Sequence, residues 1–267
     1  MTITNEQREA VIALAREAAD AILGIYGSAS FEGDAAIQHK DDRSPLTAAD
    51  LASHRCIVAG LRALTPAIPV LSEESKDTDI AARRQWQTFW LVDPLDGTRE
   101  FIKRNGEFTV NIALIEDGVA SFGVIQQPVT GALWHGALGE GAFRRDDHAE
   151  IALHVRKPAA APLRIAASRS HRDERTQALL DALGGEAVAC GSSLKFCRIA
   201  EGGIDLYPRF GPTSEWDTAA GQAIVEAAGG AVLDPRGRPL RYNQRETLLN
   251  GDFLAFGDVS LRGRLPA

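Results

Sequence analysis

The sequence predicts two unlike halves, an α+β half with an antiparallel sheet followed by an α/β half. Within residues 108–155, short apolar runs alternate with turn residues, a pattern typical of an antiparallel meander. A proline- and alanine-rich stretch at 157–162 ends this pattern. Beyond it, strand-like and helix-like segments alternate, which is typical of an α/β layer. We therefore predict one unit over 1–160 and a second over 161–267.

Two helices are predicted before the first strand. Thr4 and Gln7 have the spacing of a capping box, and apolar residues recur at helical intervals until Gly27. A second helix is predicted from Thr47 to Pro66, because proline stops a helix and threonine caps one. Both helices are predicted to have an apolar face.

Short apolar runs bounded by charged or turn residues predict the strands of the first half. These runs are 68–71, 89–92, 108–115, 119–125, 133–138 and 151–155. The first two runs end in acidic residues, which would place carboxylates where two strands end. Residues 139–141, Gly-Glu-Gly, are predicted as a turn.

The second half is predicted to alternate between strands and helices. The strands are 163–167, a short one near Val188, and 204–207, and the helices are 173–183, 193–201 and 217–228. Asp217 would begin the last helix as its N-cap, and Gly229 would end it.

Composition and charge narrow the possible functions. Hydrophobic residues make up 45% and charged residues 24% of the 267 residues, which excludes a disordered chain. The net charge of −7 argues against a partner such as a nucleic-acid polymer. Three cysteines without C-x-x-C spacing argue against a structural zinc site or a redox pair.

The sequence predicts neither a transmembrane segment nor a signal peptide. The chain has no apolar run of about 20 residues, so no transmembrane segment is expected. Its N-terminus lacks the features of a signal peptide. We expect a cytoplasmic protein, with peripheral association at the inner face of the membrane left open.

The strongest chemical signal is Asp93-Pro94-Leu95-Asp96-Gly97-Thr98, directly after an apolar strand. Proline fixes φ and glycine permits a strained turn, so the two carboxylates can converge on one hard cation. Mg²⁺ prefers such oxygen ligands and suits phosphate substrates. An acidic turn with helix-capping aspartates is the alternative. The sequence has no G-K dipeptide for a P-loop and no G-x-S-x-G elbow.

Other carboxylates give weaker signals. Glu73 ends a predicted strand within Ser-Glu-Glu-Ser, a pattern more often found in a solvated loop. Asp217, and Asp50 with Thr47, are explained by helix capping alone.

Together these motifs resemble the inositol monophosphatase superfamily, whose members are lithium-sensitive, Mg²⁺-dependent phosphatases. The specific parts are D-P-L-D-G-T at 93–98 and W-D-T-A-A-G at 216–221, in that order. Further segments resemble its bacterial CysQ-type 3′(2′),5′-bisphosphate nucleotidases, namely 40–50, 99–111, 168–171, 191–197 and 206–211. The resemblance covers nearly the whole chain and implies a layered αβαβα, sugar-phosphatase-like fold. Arg99 and Leu46 depart from the usual lysine and valine.

The resemblance also implies a role for each matching residue. The metal ligands, for two or more Mg²⁺ ions, would be Glu73, Asp93, Asp96, Asp217 and the backbone C=O of Leu95. The catalytic residues, which orient or activate the attacking water, would be Asp50, Thr98 and Glu73. The substrate-binding residues would be Leu95, Asp96, Gly97, Thr98, His171, Gly191, Ser193, Lys195, Arg209 and Asp217. Without cations, such a cluster of carboxylates would resist ionisation.

The implied reaction is hydrolysis of 3′-phosphoadenosine 5′-phosphate (PAP) to AMP and phosphate in sulfur assimilation, with its sulfated form PAPS as a second substrate. Lys195 and Arg209 would meet the second phosphate.

The nearest alternative is an inositol or sugar monophosphatase with the same metal core. A phospho-aspartyl phosphatase is disfavoured, because two residues and not one separate Asp93 from Asp96. A silent metal- or nucleotide-binding protein is the third alternative, and a monomer and a homodimer are both compatible with the sequence.

Overall fold

The computed structural model describes residues 2–27, 37–39, 45–75, 77–146, 149–167 and 174–266. Its α-helices are α1 (Asn5–Tyr26), α2 (Ala48–Leu64), α3 (Asp77–Ala82), α4 (Thr98–Ile102), α5 (Glu174–Leu183), α6 (Leu194–Ala200) and α7 (Ala219–Ala227). Short 3₁₀ helices occupy Arg83–Gln85, Glu215–Asp217 and Val259–Arg264.

The strands fall into two main sheets and two small ribbons. The first nine are β1 (Ile37–His39), β2 (Pro45–Thr47), β3 (Val70–Ser72), β4 (Thr88–Asp96), β5 (Thr109–Glu116), β6 (Val119–Gln126), β7 (Leu133–Ala137), β8 (Gly141–Arg145) and β9 (Glu150–Leu153). The others are β10 (Leu163–Ala167), β11 (Gly185–Ala189), β12 (Leu206–Arg209), β13 (Thr213–Ser214), β14 (Ala231–Leu233), β15 (Leu249–Asn250) and β16 (Phe253–Phe256). The ribbons are β1–β2 and β13–β15.

The larger sheet has the order β3-β4-β5-β6-β7-β8-β9. Only the β3–β4 pair is parallel among these pairings, so the predicted antiparallel meander is confirmed. Strand β8 begins at Gly141, the last residue of the predicted turn at 139–141, and continues to Arg145, where no strand was predicted. Its alternation is weak, because Ala142 is its only fully buried residue and Arg144 and Arg145 follow.

The smaller sheet has the order β11-β10-β12-β16-β14. Strand β10 is parallel to β11 and β12, as strand–helix alternation predicts. Strand β16 is antiparallel to both β12 and β14, so this layer is a mixed sheet. The strand predicted at 204–207 begins two residues later, at Leu206.

Five layers result from how the helices cover these sheets. Helices α1 and α2 pack on one face of the larger sheet, in a core with Trp90, Val92 and Ile112. Helix α7 packs on its other face, in a core with Leu91 and Ala113. Helices α6 and α7 also cover one face of the smaller sheet, and α5 covers the opposite face. This order confirms the αβαβα prediction.

Close approach of α7 to the larger sheet depends on a glycine. A Cβ added to Gly123 would lie 2.4 Å from the backbone oxygen of Ala220. Because α7 contacts both sheets, it connects residues on the two sides of the predicted boundary at 160. That division into domains stays a prediction.

The N-terminal caps predicted for the first two helices are present. Thr4 and Gln7 form a complete capping box on α1. Thr47 and Asp50 form another on α2, which ends before Pro66. Within the described part of the chain, the helices are too short or too polar to span a membrane.

Candidate active site

The end of strand β4 carries the first two carboxylates of the site. Its pairing with β5 shifts register between Asp93 and Asp96, where Pro94 supplies no N–H to continue the ladder. The Leu95 N–H instead donates to Asp93 Oδ1 at 3.0 Å. Ser53 donates to the Pro94 carbonyl at 2.7 Å, which ties this irregular segment to α2. The local sequence therefore turns Asp93 and Asp96 out of regular strand geometry.

Gly97 makes the sharp turn from β4 into α4. Its φ of +93° lies in a region that side chains rarely adopt. A Cβ here would also lie 3.2 Å from the Glu107 carbonyl and 3.3 Å from Ser192 Cβ. The turn places Thr98 at the first position of α4.

Two aspartates of strand β4 meet a third from a distant part of the chain at this point. One carboxylate oxygen of each of Asp93, Asp96 and Asp217 lies within 4.8 Å of the other two. Glu73 adjoins them: its N–H donates to the Val92 carbonyl at 3.0 Å, and its carboxylate acts on the pKa of Asp93. These four predicted metal ligands are therefore neighbours in space.

Burial and mutual repulsion disfavour ionisation of the cluster. Burial, and then the carboxylates of Glu73, Asp96 and Asp217, raise the pKa of Asp93 well above its ordinary value. Burial and the same kind of repulsion raise the pKa of Asp217. The donor set consists of hard oxygens, and a divalent cation would relieve the repulsion, so the residues fit such an ion.

Neighbouring groups partly offset the effect of burial on the pKa of Asp96. Burial raises its pKa, while the Lys195 ammonium and the Ser193 N–H oppose the shift. The Ser193 N–H donates to Asp96 Oδ2 at 2.6 Å, and the Ser193 hydroxyl donates to Asn111 Oδ1 at 2.8 Å. Thr109 Oγ1 lies 2.7 Å from the same hydroxyl. Asn111 and Thr109 received no role from the sequence, since only their proximity to Ser193 reveals one.

Asp50 and Thr98 form a separate pair beside the aspartates. Thr98 Oγ1 donates to Asp50 Oδ1 at 3.2 Å. The Thr47 N–H and hydroxyl donate to the other Asp50 oxygen at 2.8 and 2.5 Å. Burial raises the pKa of Asp50 to about 6, with the Thr47 hydrogen bonds acting in the opposite direction. Leu95 is close as well, because its carbonyl lies 3.4 Å from Thr98 Oγ1.

Asp217 does not cap the last helix, which corrects the sequence prediction. It lies in the 3₁₀ turn, and α7 begins two residues later at Ala219. Its Oδ2 accepts from the Ser214 N–H at 2.9 Å, so the capping box belongs to the turn. The sequence cannot distinguish these positions, because Asp suits the first turn of either helix.

A cavity of about 290 Å³ opens beside the carboxylates. Seven of the predicted substrate-binding residues line it: Asp96, Gly97, Gly191, Ser193, Lys195, Arg209 and Asp217. Lys195 Nζ donates to the Ser192 carbonyl at 3.0 Å and lies 5.2 Å from the ring centroid of Tyr207. Arg209 Nη2 donates to the Pro212 carbonyl at 3.0 Å. Its charge lowers the pKa of Asp217, which opposes the effect of burial.

Some predicted residues fall elsewhere, and some lining residues were not predicted. Leu95 and Thr98 do not line the cavity, and His171 lies outside the described residues, as do Lys40 and Asp42 of the first matched segment. Arg99 and Lys103 line it although the sequence gave them no role. Their i, i+4 spacing on the helix that follows Gly97 is a signal that could have identified them.

Three comparisons with known proteins, by family, by sequence and by structure, point to the same family. Residues 4–256 match the inositol monophosphatase family. The CysQ 3′(2′),5′-bisphosphate nucleotidase of Salmonella typhimurium is 50% identical over 246 residues, 92% of this chain and 97% of that protein. The crystal structure of CysQ from Bacteroides thetaiotaomicron is similar with a TM-score of 0.79 at 42% identity, over 93% of this chain and 96% of that chain. The inositol monophosphatase structure from Anabaena (Nostoc) gives 0.74 at 25% identity, over 98% of each chain.

Proposed function

The chain belongs to the inositol monophosphatase family, and from that premise we propose that it is a 3′(2′),5′-bisphosphate nucleotidase that hydrolyses PAP to AMP and phosphate. The proposal rests on one observation. The chain is 50% identical in sequence to a nucleotidase of that name, over almost the full length of both chains. The similarity to an inositol monophosphatase is much lower. PAPS, with the same 3′-phosphate, is proposed as a second substrate.

We propose Mg²⁺ as the metal of this metal-dependent phosphatase, with two or more ions in each site. Asp93, Asp96, Asp217, Glu73 and the Leu95 carbonyl would hold them. When bound, Mg²⁺ lowers the pKa of water, neutralises phosphate charge and stabilises the attacking and leaving oxygens. The proximity of three aspartate oxygens supports this ligand set. The raised pKa values of Asp93 and Asp217 support it too, because these groups need a compensating charge to ionise.

Thr98 and Asp50 would orient the attacking water. The Thr98 hydroxyl donates to Asp50, so its lone pairs are free to accept a hydrogen bond from water. A carboxyl group with a pKa of about 6 is largely ionised at neutral pH and can accept a proton. Water attack without a phosphorylated residue should invert the configuration at phosphorus. Retention in a chiral-phosphate experiment would instead indicate a covalent intermediate.

Lys195 and Arg209 would bind the second phosphate of the substrate. Both line the cavity beside the carboxylates, and Gly191 and Ser193 line the same cavity. Arginine can hold phosphate through two parallel hydrogen bonds, whereas lysine supplies a compact charge. His171, and the backbone N–H groups of the turn at Gly97 and Thr98, stay predicted contacts. A monomer or homodimer and a cytoplasmic location also stay predictions.

The function is tested by phosphate release from PAP, PAPS and inositol 1-phosphate with Mg²⁺, with and without Li⁺. We expect the highest kcat/KM for PAP and inhibition by Li⁺. Asp96→Asn is the control for contaminating phosphatase, since it removes a proposed ligand. A higher kcat/KM for inositol 1-phosphate would assign the chain to the monophosphatases of the family. Absence of phosphate release from every substrate would contradict an enzymatic function.

A further inference from the structure

Asp217 lies on a turn that cannot fix its position by itself. The 3₁₀ turn Glu215–Asp217 is three residues long, and its capping contact from Ser214 is local. Asp93 and Asp96, in contrast, belong to a nine-residue strand inside the larger sheet. The second side of the metal site therefore needs support from elsewhere in the chain.

That support is an ion pair at the start of the same turn, between the buried carboxylate of Glu215 and the half-buried side chain of Arg245. The Glu215 carboxylate is fully buried, and Arg245 Nη2 donates to its Oε1 at 2.7 Å. The Asn243 N–H donates to its Oε2 at 2.7 Å. Thus both carboxylate oxygens at the start of the turn are bonded to the segment at 243–245.

Asn250 holds the two ends of the same turn. Its Nδ2 donates to the Ser214 carbonyl at 3.1 Å and to Thr218 Oγ1 at 2.9 Å. Its Oδ1 accepts from Arg245 Nη2 at 2.7 Å, so one guanidinium nitrogen contacts both Glu215 and Asn250. Ser214 and Thr218 flank the turn on either side, so Asp217 lies between the two bonded ends.

The network continues to the side of the site that carries the strand β4. Arg83 is 1% exposed, and its Nη1 donates to Asn243 Oδ1 at 2.6 Å. Its Nη2 donates to the carbonyls of Arg245 and Glu246 at 3.0 and 2.6 Å. A continuous set of bonds therefore joins the first 100 residues to the turn that carries Asp217.

We propose that Arg245, Asn250 and Glu215 are positioning residues, which hold Asp217 at the distance from Asp93 and Asp96 that metal binding requires. The inference rests on the metal site proposed above and deepens it. A buried ion pair is a poor source of stability compared with apolar packing, because desolvation opposes the attraction. What the pair supplies is orientation, since the two oxygens of Glu215 accept from different donors, Arg245 Nη2 and the Asn243 N–H. Groups that orient metal ligands typically change metal affinity about 10- to 100-fold when removed.

The test compares Arg245→Met with a matched control, Arg156→Met. Arg156 donates to a fully buried carboxylate too, that of Asp205, and its side chain is 30% exposed against 35% for Arg245. Asp205 is not among the residues that line the cavity. Both variants should unfold at a lower temperature, because each removes a guanidinium that is hydrogen-bonded to a buried carboxylate. Asp205 keeps Arg164, whose Nε lies 3.8 Å from its Oδ2, so the loss of stability should be smaller in the control. Only Arg245→Met should lose Mg²⁺ affinity, by about 10- to 100-fold.

Mg²⁺ affinity is measured by calorimetry on the full chain with Mg²⁺ alone, so the result does not depend on turnover. Arg245→Lys should recover part of the affinity, because an ammonium can donate to Glu215 or Asn250. Asn250→Ala should lose affinity while Glu215 and Arg245 remain paired, which keeps the proposal testable if Arg245→Met fails to fold. The double variant Arg245→Met, Glu215→Gln should regain thermal stability without regaining affinity.

The outcomes separate this inference from the proposed function. If the wild-type chain does not bind Mg²⁺, both the metal site and this inference are wrong. If it binds Mg²⁺ and Arg245→Met and Asn250→Ala bind equally well, the network is structural and only the inference is wrong. An equal loss of affinity in Arg156→Met would also overturn it, because general destabilisation would then explain the effect.

Discussion

Asp96 and Asp217 reach the same site by different routes. Asp96 ends a strand of the larger sheet, and the residues that shape its turn, Pro94 and Gly97, are its neighbours in sequence. Asp217 lies on a short turn whose supporting side chains come from residues 83 and 243–250. A contiguous motif can define one side of a metal site, whereas the other side depends on contacts that form only after the chain has folded.

The largest expected loss of kcat comes from removing a proposed metal ligand, on either side of the metal site. Asp96→Asn, Glu73→Gln and Asp217→Asn should each lower kcat on PAP by about a thousandfold or more. Such a loss corresponds to about 4 kcal/mol of transition-state stabilisation. Circular dichroism should show an intact fold in each case. Near-normal turnover of any of these variants at saturating Mg²⁺ would remove that residue from the ligand set.

A smaller effect is expected from the cations of the cavity, and it should depend on the substrate. A charge-assisted hydrogen bond contributes about 1.5–3 kcal/mol, so Lys195→Ala and Arg209→Ala should each lower kcat/KM for PAP about 10- to 150-fold. Hydrolysis of inositol 1-phosphate, which lacks a second phosphate, should hardly change. Equal losses on the two substrates would mean that these residues brace the site and do not select the substrate.

Metal-free protein should show a pH-dependent stability that Mg²⁺ suppresses. The pKa values of Asp93 and Asp217 are raised on folding, so the folded state binds more protons than the unfolded state above about pH 4. Stability therefore falls as the pH rises. In EDTA, Tm should be a few degrees higher at pH 5.5 than at pH 8. Mg²⁺ should raise Tm more at pH 8.

Asp93→Asn is the matched variant for that experiment. It removes one carboxylate of the cluster, so the pH dependence of Tm in EDTA should become smaller. A wild-type Tm in EDTA that rises from pH 5.5 to pH 8 would contradict the raised pKa values.

The smallest effect is expected at the rim of the cavity. Arg99 and Lys103 are exposed and line the cavity, so their charges should attract an anionic substrate. Dissolved salt screens this long-range attraction. Arg99→Gln and Lys103→Gln should lower kcat/KM for PAP about two- to fivefold at low ionic strength and hardly at all in 0.5 M salt. Arg104→Gln is the control, because Arg104 instead donates to the Tyr26 carbonyl. An equal effect of this control would show that net charge alone matters.

The sequence by itself determined the parts whose geometry is local. The capping boxes at Thr4 and Thr47 and the turn at Gly97 follow from side chains within a few residues of each other. The order of apolar runs indicated an α+β half followed by an α/β half, and the family resemblance, based mainly on two short motifs, implied the αβαβα layers. Such features are readable because covalent spacing and allowed φ values restrict them before any distant contact forms.

Only the tertiary structure decided the rest. Strand β8 is paired by its neighbours in the sheet although its own alternation is weak. Asp217 lies in a separate turn, whose Glu215 and neighbouring Asn250 both accept from the distant side chain of Arg245. No spacing in the sequence relates these residues to one another. Their contacts depend on how the layers pack, since long-range hydrogen bonds form only between groups that packing has already brought together.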